Sequence, residues 1–464
     1  MLLFIFCSFV RCSYLNYEIV LSMNKETSSY SALLNNPAFM PVFGLQFLGA
    51  FNDNLFKNAL VMLITFKLSE SLEQTGLLIT LAAGLFILPF FLFSSVAGQL
   101  ADLYPKHLLV QKTKLAEVLV MLLGAMALMS ENLVMLFITL FLMGTQSAFF
   151  GPLKYSILPE IVTEDSLIKS NSLFSGSTFI AILLGTIFGG IGVLMESGPE
   201  IMAGAIIGVA LLGYLLSLMM VPCPTSREFF KINWNPLSST WKIVQQSTQY
   251  STAFCSVLAI SWFWFIGAVM LSQIPALVKY NLLSNDSVVV LFLTVFSVGI
   301  ALGAALVGKV SVNAASVKWH WLWLFFMSGA LALSVWSIQA TDFSYWLDFH
   351  NVPHGTLLTL QQFLSLFPAN LSLLFLGVLA VVGGAYIVPL YTILQTHTEQ
   401  DSRARMVAVN NIMNALLMVL SAVLLMIGFA FSLSLLDMLM ILAVFNLLIM
   451  FWLFKQRFMA NINL

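Results

Sequence analysis

The sequence predicts an all-α integral membrane protein of twelve transmembrane helices in two six-helix pseudo-repeats, and three observations carry that expectation. The first is composition. Of 464 residues, 60% are hydrophobic and only 8% charged, with a mean hydropathy of +0.97, whereas a soluble domain carries about 25% charged residues. The second is spacing: six long apolar runs stand on each side of one polar stretch. The third is internal likeness. FFGPLKYSILPEIVTEDSLIKSNSLFS, from Phe149, resembles YIVPLYTILQTHTEQDSRARMVAVNNIMN, from Tyr386. Pro152-Leu153 aligns with Pro389-Leu390, Ile157-Leu158 with Ile393-Leu394 after a one-residue gap, and Asn171 with Asn410 or Asn411.

In chain order, MLLFIFCSFVRC has no basic residue ahead of its apolar run and no small-residue cleavage site, so it does not read as a signal peptide. Residues 1–22 read as an upstream extension within a cytosolic segment, 1–38. A helix needs about 20 apolar residues to cross the hydrocarbon core. Such runs lie at 39–66, 75–99, 107–129, 133–157, 168–194 and 200–221, forming a first bundle, 39–221. The polar stretch from Cys223 to Gln249 makes a cytoplasmic linker, 222–252. Runs at 253–281, 287–311, 318–338, 371–395, 404–430 and 434–455 form a second bundle, 253–455, ahead of a cytosolic tail, 456–464. Between them, 339–370 is a long outer loop in which TLLTLQQFLSLF reads as a short interfacial amphipathic helix. Fourteen Lys and Arg fall on the side of the N-terminus, against Lys67 and Lys279 on the other. That bias puts both termini in the cytoplasm.

The first span, FLGAFNDNLFKNALVML, carries Asp53, Asn54, Lys57 and Asn58 in its middle. Asp53 lies ~20 Å from either end of the span at ~1.5 Å per residue, too deep to snorkel. A carboxylate there costs at least ~2.5–3.5 kcal/mol, so it must face protein or a water-filled cavity. Asp53 and Lys57 are spaced i, i+4 and can pair, as can Asn54 and Asn58. One reading is a self-neutralised structural pair with amide glue between helices. The favoured reading is a polar strip lining a central cavity, able to hold a zwitterionic or anionic headgroup. Other spans contribute similar groups: Gln146, Lys154 and Tyr155 in the fourth, Gln273 in the seventh, Tyr386 and Tyr391 in the tenth, and Asn410, Asn411 and Asn414 in the eleventh. Lys112, Lys114 and Glu117 open the third span, where Lys114 and Glu117 are expected to pair at the inner rim.

Gly98, Asp102 and Lys106 mark the loop between the second and third spans. There an aspartate can sit at a neighbouring helix N-terminus and latch one conformation. Gly176, Gly185, Gly189, Gly299 and Gly303 fit close helix packing. Cys7, Cys12, Cys223 and Cys255 show no ligand or CxxC spacing. His350 and His354 are separated by Pro353, which breaks the helical turn a metal pair would need. The sequence therefore suggests no metal, no cofactor and no enzyme.

FLGAFNDNLF, VAGQLADLYPK, FFGPLKYSILPE and IKSNSLFSGSTFIAILLGTIFGG together resemble the bacterial lysophospholipid transporters of the major facilitator superfamily, whose fold is built from parallel six-helix repeats with the substrate site between them. The likeness runs from about residue 40 and is strongest in the N-terminal half. It implies a stand-alone, monomeric transporter of the bacterial inner membrane. Such a protein flips lysophospholipids, chiefly lysophosphatidylethanolamine, from the outer to the inner leaflet by alternating access with a lateral opening, and a separate acyltransferase reacylates them. Asp53 and Asn54 match the family's headgroup-contacting pair, and Lys154 its fourth-span lysine. Two departures stand out: Ser175 replaces an acidic residue of the fifth span, and GAVMLSQ (Gly267–Gln273) replaces an arginine-bearing stretch of the seventh. Lys57 offers a cation in the first span instead. Two other readings stay open: a proton-coupled exporter of drugs or small metabolites using Asp53 as its proton carrier, and a non-transporting partner of an acyltransferase.

Overall fold

The computed structural model describes residues 29–69, 72–222, 231–310, 320–349, 353 and 355–462. Among these, twelve helices have 20 residues or more: α1 Phe39–Leu63, α2 Leu72–Leu103, α3 Lys106–Met129, α4 Leu133–Ser156, α5 Glu164–Gly192, α6 Gly198–Leu218, α7 Ser251–Ala276, α8 Asp286–Val310, α9 His320–Gln339, α10 Leu371–Thr396, α11 Arg403–Ala430 and α12 Leu435–Ile462. Ten of the twelve are long and apolar enough to cross a membrane; α1 and α3, the other two, carry the polar residues discussed below. The protein is a multi-pass membrane protein.

The helices overrun the apolar runs at several ends. Helix α2 reaches from Leu72 to Leu103, and α12 continues to Ile462. Polar residues at a helix end satisfy their backbone within the helix as well as apolar ones do, so hydropathy alone underestimates helix length. The linker also contains structure that its polarity concealed, a helix at Pro236–Ser247 capped by the Asn235 side chain on the Ser238 amide. Gln99 of α2 anchors this segment, donating to Ser239 Oγ at 2.6 Å and accepting from the Asn233 amide at 2.9 Å. In the long loop the expected short helix forms at Leu360–Ser365, held by a capping box between Thr359 and Gln362. A second short helix, Phe343–Phe349, was not anticipated. His350 and His354 lie outside the described residues.

Two compact units form: the described residues of Met1–Ala259 with Tyr391–Leu416, and those of Ile260–Leu390 with Leu417–Leu464. In the first, α1 packs on α5, α3 on α6 and α2 on α4. Glycine sets the α1–α5 distance. A Cβ at Gly185 would lie 2.6 Å from the Phe51 carbonyl oxygen, and one at Gly189 would collide with the Leu55 carbonyl. With little hydrophobic drive between helices in lipid, such backbone-to-backbone approach supplies the packing energy. In the second unit α8 and α10 meet in the same way, Gly303 on the Val381 carbonyl and Gly384 on the Ile300 carbonyl. Helix α9 packs on α12, tied by Asn446. Its amide donates to the Leu324 carbonyl (2.8 Å) and to Ser328 Oγ (3.0 Å), and its oxygen accepts from Trp262 Nε1 (2.8 Å).

Candidate functional site

Asp53 sits one turn beyond Gly49 on α1 and is half-buried. Its carboxylate does not close on Lys57; among the described residues the two form no ion pair within 4 Å. Instead Asp53 Oδ2 accepts from Ser147 Oγ of α4 at 2.7 Å. Lys57 Nζ stands 5.5 Å from the Phe86 ring centroid, and Lys154 Nζ 5.2 Å from that of Tyr155. Both are arranged as cation–π contacts, which hold an ammonium without neutralising it. Both lysines are partly open, and both interact electrostatically with Asp53. The result is one carboxylate and two ammonium groups at the centre of the first unit, none locked in an ion pair.

The two asparagines do not pair with each other's side chains. Asn54 Nδ2 donates to the Ala50 carbonyl at 2.8 Å, and Asn58 Nδ2 to the Asn54 carbonyl at 2.9 Å. Asn58 also reaches across to Thr186 Oγ1 of α5 at 3.1 Å. That is helix glue, one turn from Asp53.

Lys114 and Glu117 do pair, at 2.7 Å, but not at a rim. Their side chains are 0% and 3% exposed, roughly 12 and 16 Å into α3. Glu117 has two further hydrogen-bond donors. Its Oε2 accepts from Gln146 Nε2 at 3.0 Å and its Oε1 from Asn52 Nδ2 at 3.3 Å, while Asn52 also donates to the Ile206 carbonyl of α6. Lys114 Nζ lies 4.5 Å from the Phe150 ring centroid. Gln146 Oε1 lies 3.2 Å from Ser147 Oγ, whose single hydrogen it shares with Asp53 Oδ2. Sequence reading missed Asn52 and Ser147. Asn52 stood beside Asp53 in the quoted run, but nothing marks a lone serine in an apolar span.

Below this network α4 and α10 meet through their aromatic residues. Tyr155 stacks on Tyr391 with centroids 4.2 Å apart and planes 5° from parallel. Asn171 and Gln395 exchange amide hydrogen bonds at 2.6 and 3.2 Å, and Gln395 Nε2 also donates to the Tyr155 carbonyl at 2.9 Å. Neither partner of that amide pair was expected at a site. Asn410 is fully buried, with no hydrogen-bond partner for either side-chain atom among the described residues, and the Asn411 amide nitrogen packs on the bare Cα of Gly151. Asn414 is also buried.

Asp102 caps the start of α11. Its carboxylate accepts from the Ala404 amide (2.9 Å), the Arg405 amide (3.1 Å) and Arg405 Nε (2.9 Å). The helix N-terminus carries partial positive charge, and the guanidinium adds a full one. Gly98 makes the approach possible, because a Cβ there would lie 2.6 Å from Ala408 Cβ. Lys106 turns to Glu160 instead. Burial pushes the Glu160 carboxyl above the usual glutamate range, and the Lys106 ammonium pulls against that. Asp102→Asn is expected to raise amide hydrogen exchange at Ala404 and Arg405 at least about tenfold, since a charge-assisted bond contributes ~1.5–3 kcal/mol. Unchanged exchange by mass spectrometry would mean that the cap contributes nothing.

In the second unit, Gln273 donates to the neighbouring Ser272 hydroxyl at 3.3 Å, and Tyr386 is fully buried. The same unit holds an apolar cavity of about 480 Å³ among α7, α11 and α12, bordered by Trp262, Phe265, Leu424 and Phe445.

The profile of the Major Facilitator Superfamily matches residues 42–422. The chain is 27% identical over 419 residues to the lysophospholipid transporter LplT of Citrobacter koseri, spanning 88% of this chain and 90% of that one. It is 26% identical over 403 residues to LplT of Serratia proteamaculans, spanning 84% and 88%. Among solved structures it resembles the human organic anion transporter MFSD10, with a TM-score of 0.67 at 12% identity over 89% of this chain and 98% of that one. It also resembles FucP in the outward conformation, with a TM-score of 0.63 at 14% identity over 89% and 96%. A profile match across most of the twelve-helix region, and relatives aligned over more than four-fifths of the sequence, lead to one assignment: the chain belongs to the Major Facilitator Superfamily.

Proposed function

We propose that this protein is a lysophospholipid transporter that moves lysophosphatidylethanolamine-type lipids from the outer to the inner leaflet of the bacterial cytoplasmic membrane. The observation that carries the proposal is a mid-span carboxylate, Asp53, partly open and bonded to a neutral hydroxyl, with Lys57 and Lys154 close by and free of ion pairs with it. A phosphoethanolamine headgroup carries an ammonium and a phosphate, and this set complements both. Asp53 takes the ammonium, and Lys57 and Lys154 the phosphate. Charges held at this depth without an ion pair have a free-energy cost that a charged ligand would offset. The relatives named lysophospholipid transporters support the same substrate class.

Transport follows by alternating access, while the single acyl chain stays among apolar side chains. Both termini are cytoplasmic, the protein works as a monomer, and a separate acyltransferase consumes the flipped lipid. Purified protein in liposomes is expected to flip fluorescent lysophosphatidylethanolamine at least about tenfold faster than protein-free liposomes. Equal rates would overturn the assignment and turn attention to export driven by a proton gradient.

A further inference from the structure

The Lys114–Glu117 pair is a buried pair of charges that headgroup binding does not use. Two full charges removed from water need a compensating role. Their hydrogen bonds lead, one after another, to Asp53.

Glu117 is acceptor-only when ionised, as its bonds to Lys114, Gln146 and Asn52 require. It therefore dictates which end of the Gln146 amide it receives. Nε2 faces Glu117 at 3.0 Å, so Oε1 is turned to the Ser147 hydroxyl at 3.2 Å. Ser147 has one hydrogen and two acceptors in reach, Asp53 Oδ2 at 2.7 Å and Gln146 Oε1 at 3.2 Å. It can donate to only one of them at a time.

We propose that Ser147 is a two-position donor that tunes the site for headgroups bearing an ammonium, with Gln146, oriented by Glu117, as its second acceptor. In the empty site the hydroxyl donates to Asp53. When a ligand ammonium takes Oδ2 of Asp53, the oxygen that Ser147 holds, the hydroxyl swings to Gln146 Oε1 rather than being left without an acceptor. Ser147 is half-buried in the empty site, and a bound ligand would cover it; a covered donor without a partner carries a desolvation penalty, which Gln146 removes from binding. Ser147 also competes with the ammonium for Asp53. Gln146 and Glu117 are positioning residues here: neither touches the ligand, and both act through Ser147. Selectivity follows, because a headgroup without an ammonium has no reason to displace the hydroxyl. The groups bearing charge around Asp53 are Lys57 of α1, Lys114 and Glu117 of α3, and Lys154 of α4. None of the three lysines accepts a hydrogen bond, so none substitutes for Gln146.

This inference rests on the lysophospholipid reading of Asp53, and its test separates the two. Lysophosphatidylethanolamine and lysophosphatidylglycerol, one with an ammonium and one without, are titrated by calorimetry into detergent-solubilised full-length protein, and each is then followed in the liposome flipping assay. Gln146→Leu is expected to raise the dissociation constant for the ethanolamine lipid about tenfold. Ser147→Ala is expected to lower it several-fold, because the competitor is gone. Gln146→Leu added to Ser147→Ala should produce no further loss, since no hydroxyl remains to be left without an acceptor. Each shift should be at least several times smaller for the glycerol lipid. Glu117→Gln, which frees the Gln146 amide to rotate, should reproduce the Gln146→Leu effect in part and guards against a packing artefact of the leucine. Additive effects of the two substitutions, equal shifts for both lipids, or no binding of either lipid would overturn the two-position donor. Headgroup-selective, non-additive binding without flipping would leave it standing and overturn the transport reading alone.

Discussion

Lys114→Met is expected to destabilise the folded protein by about 3–5 kcal/mol, the penalty for removing one member of a buried ion pair. Glu117 would keep its bonds to Gln146 and Asn52, but its charge would lie uncompensated in a core where Lys114 had been fully enclosed. The measurement is reversible unfolding in mixed micelles. A second arm makes the result diagnostic. Lys114→Met with Glu117→Leu together removes both charges and should recover most of the loss, because paired charges are replaceable by apolar groups of similar volume. If the single substitution left the unfolding transition unmoved, the ammonium would have to be hydrated, and the enclosed pair between α3, α4 and α1 would be refuted.

Asp53→Asn is expected to have the opposite profile, a large effect on transport with little on stability. The amide oxygen still accepts the Ser147 hydroxyl, so the helix contact at 2.7 Å survives. What disappears is the negative charge that would hold an ammonium. A charged hydrogen bond contributes up to ~3 kcal/mol, which corresponds to a loss of roughly 100-fold in the rate of lysophosphatidylethanolamine flipping at limiting substrate. The control is the unfolding curve, which should overlay that of the wild type. Flipping that persists at wild-type rates would remove Asp53 from the site. A parallel loss of stability and transport would make its role structural.

The two substitutions also separate features that sequence reading treats alike. Both Asp53 and Lys114 are charged residues in apolar surroundings, and both have an opposite charge within one helical turn along the chain. Spacing predicts a pair in each case, and only Lys114–Glu117 forms one. The difference arises from neighbours far away in sequence. Ser147 draws the Asp53 carboxylate towards α4, and the Phe86 and Tyr155 rings offer Lys57 and Lys154 an alternative seat. Intrahelical spacing specifies what can meet; the opposing helix decides what does.

The order of the twelve long helices, their apolar character and the unusual first span follow from the chain alone. Burial of polar backbone in lipid leaves helices or closed barrels, apolar runs of 20 residues or more select helices, and an aspartate halfway along one is too unfavourable to be incidental. The loop aspartate was equally legible as a helix cap, since Asp102 does sit at the N-terminus of α11. What required tertiary structure is everything that depends on one helix reading another. That includes the depth of the Lys114–Glu117 pair, the Asn52 and Gln146 ligands of Glu117, the Tyr155–Tyr391 stack, and the reciprocal amide bonds of Asn171 and Gln395 across more than two hundred residues of sequence. Hydropathy and helical period are properties of a segment and are written locally. A hydrogen bond between α3 and α4, or between α5 and α10, depends on rotation and depth, which packing against glycine-lined faces sets and no single segment encodes.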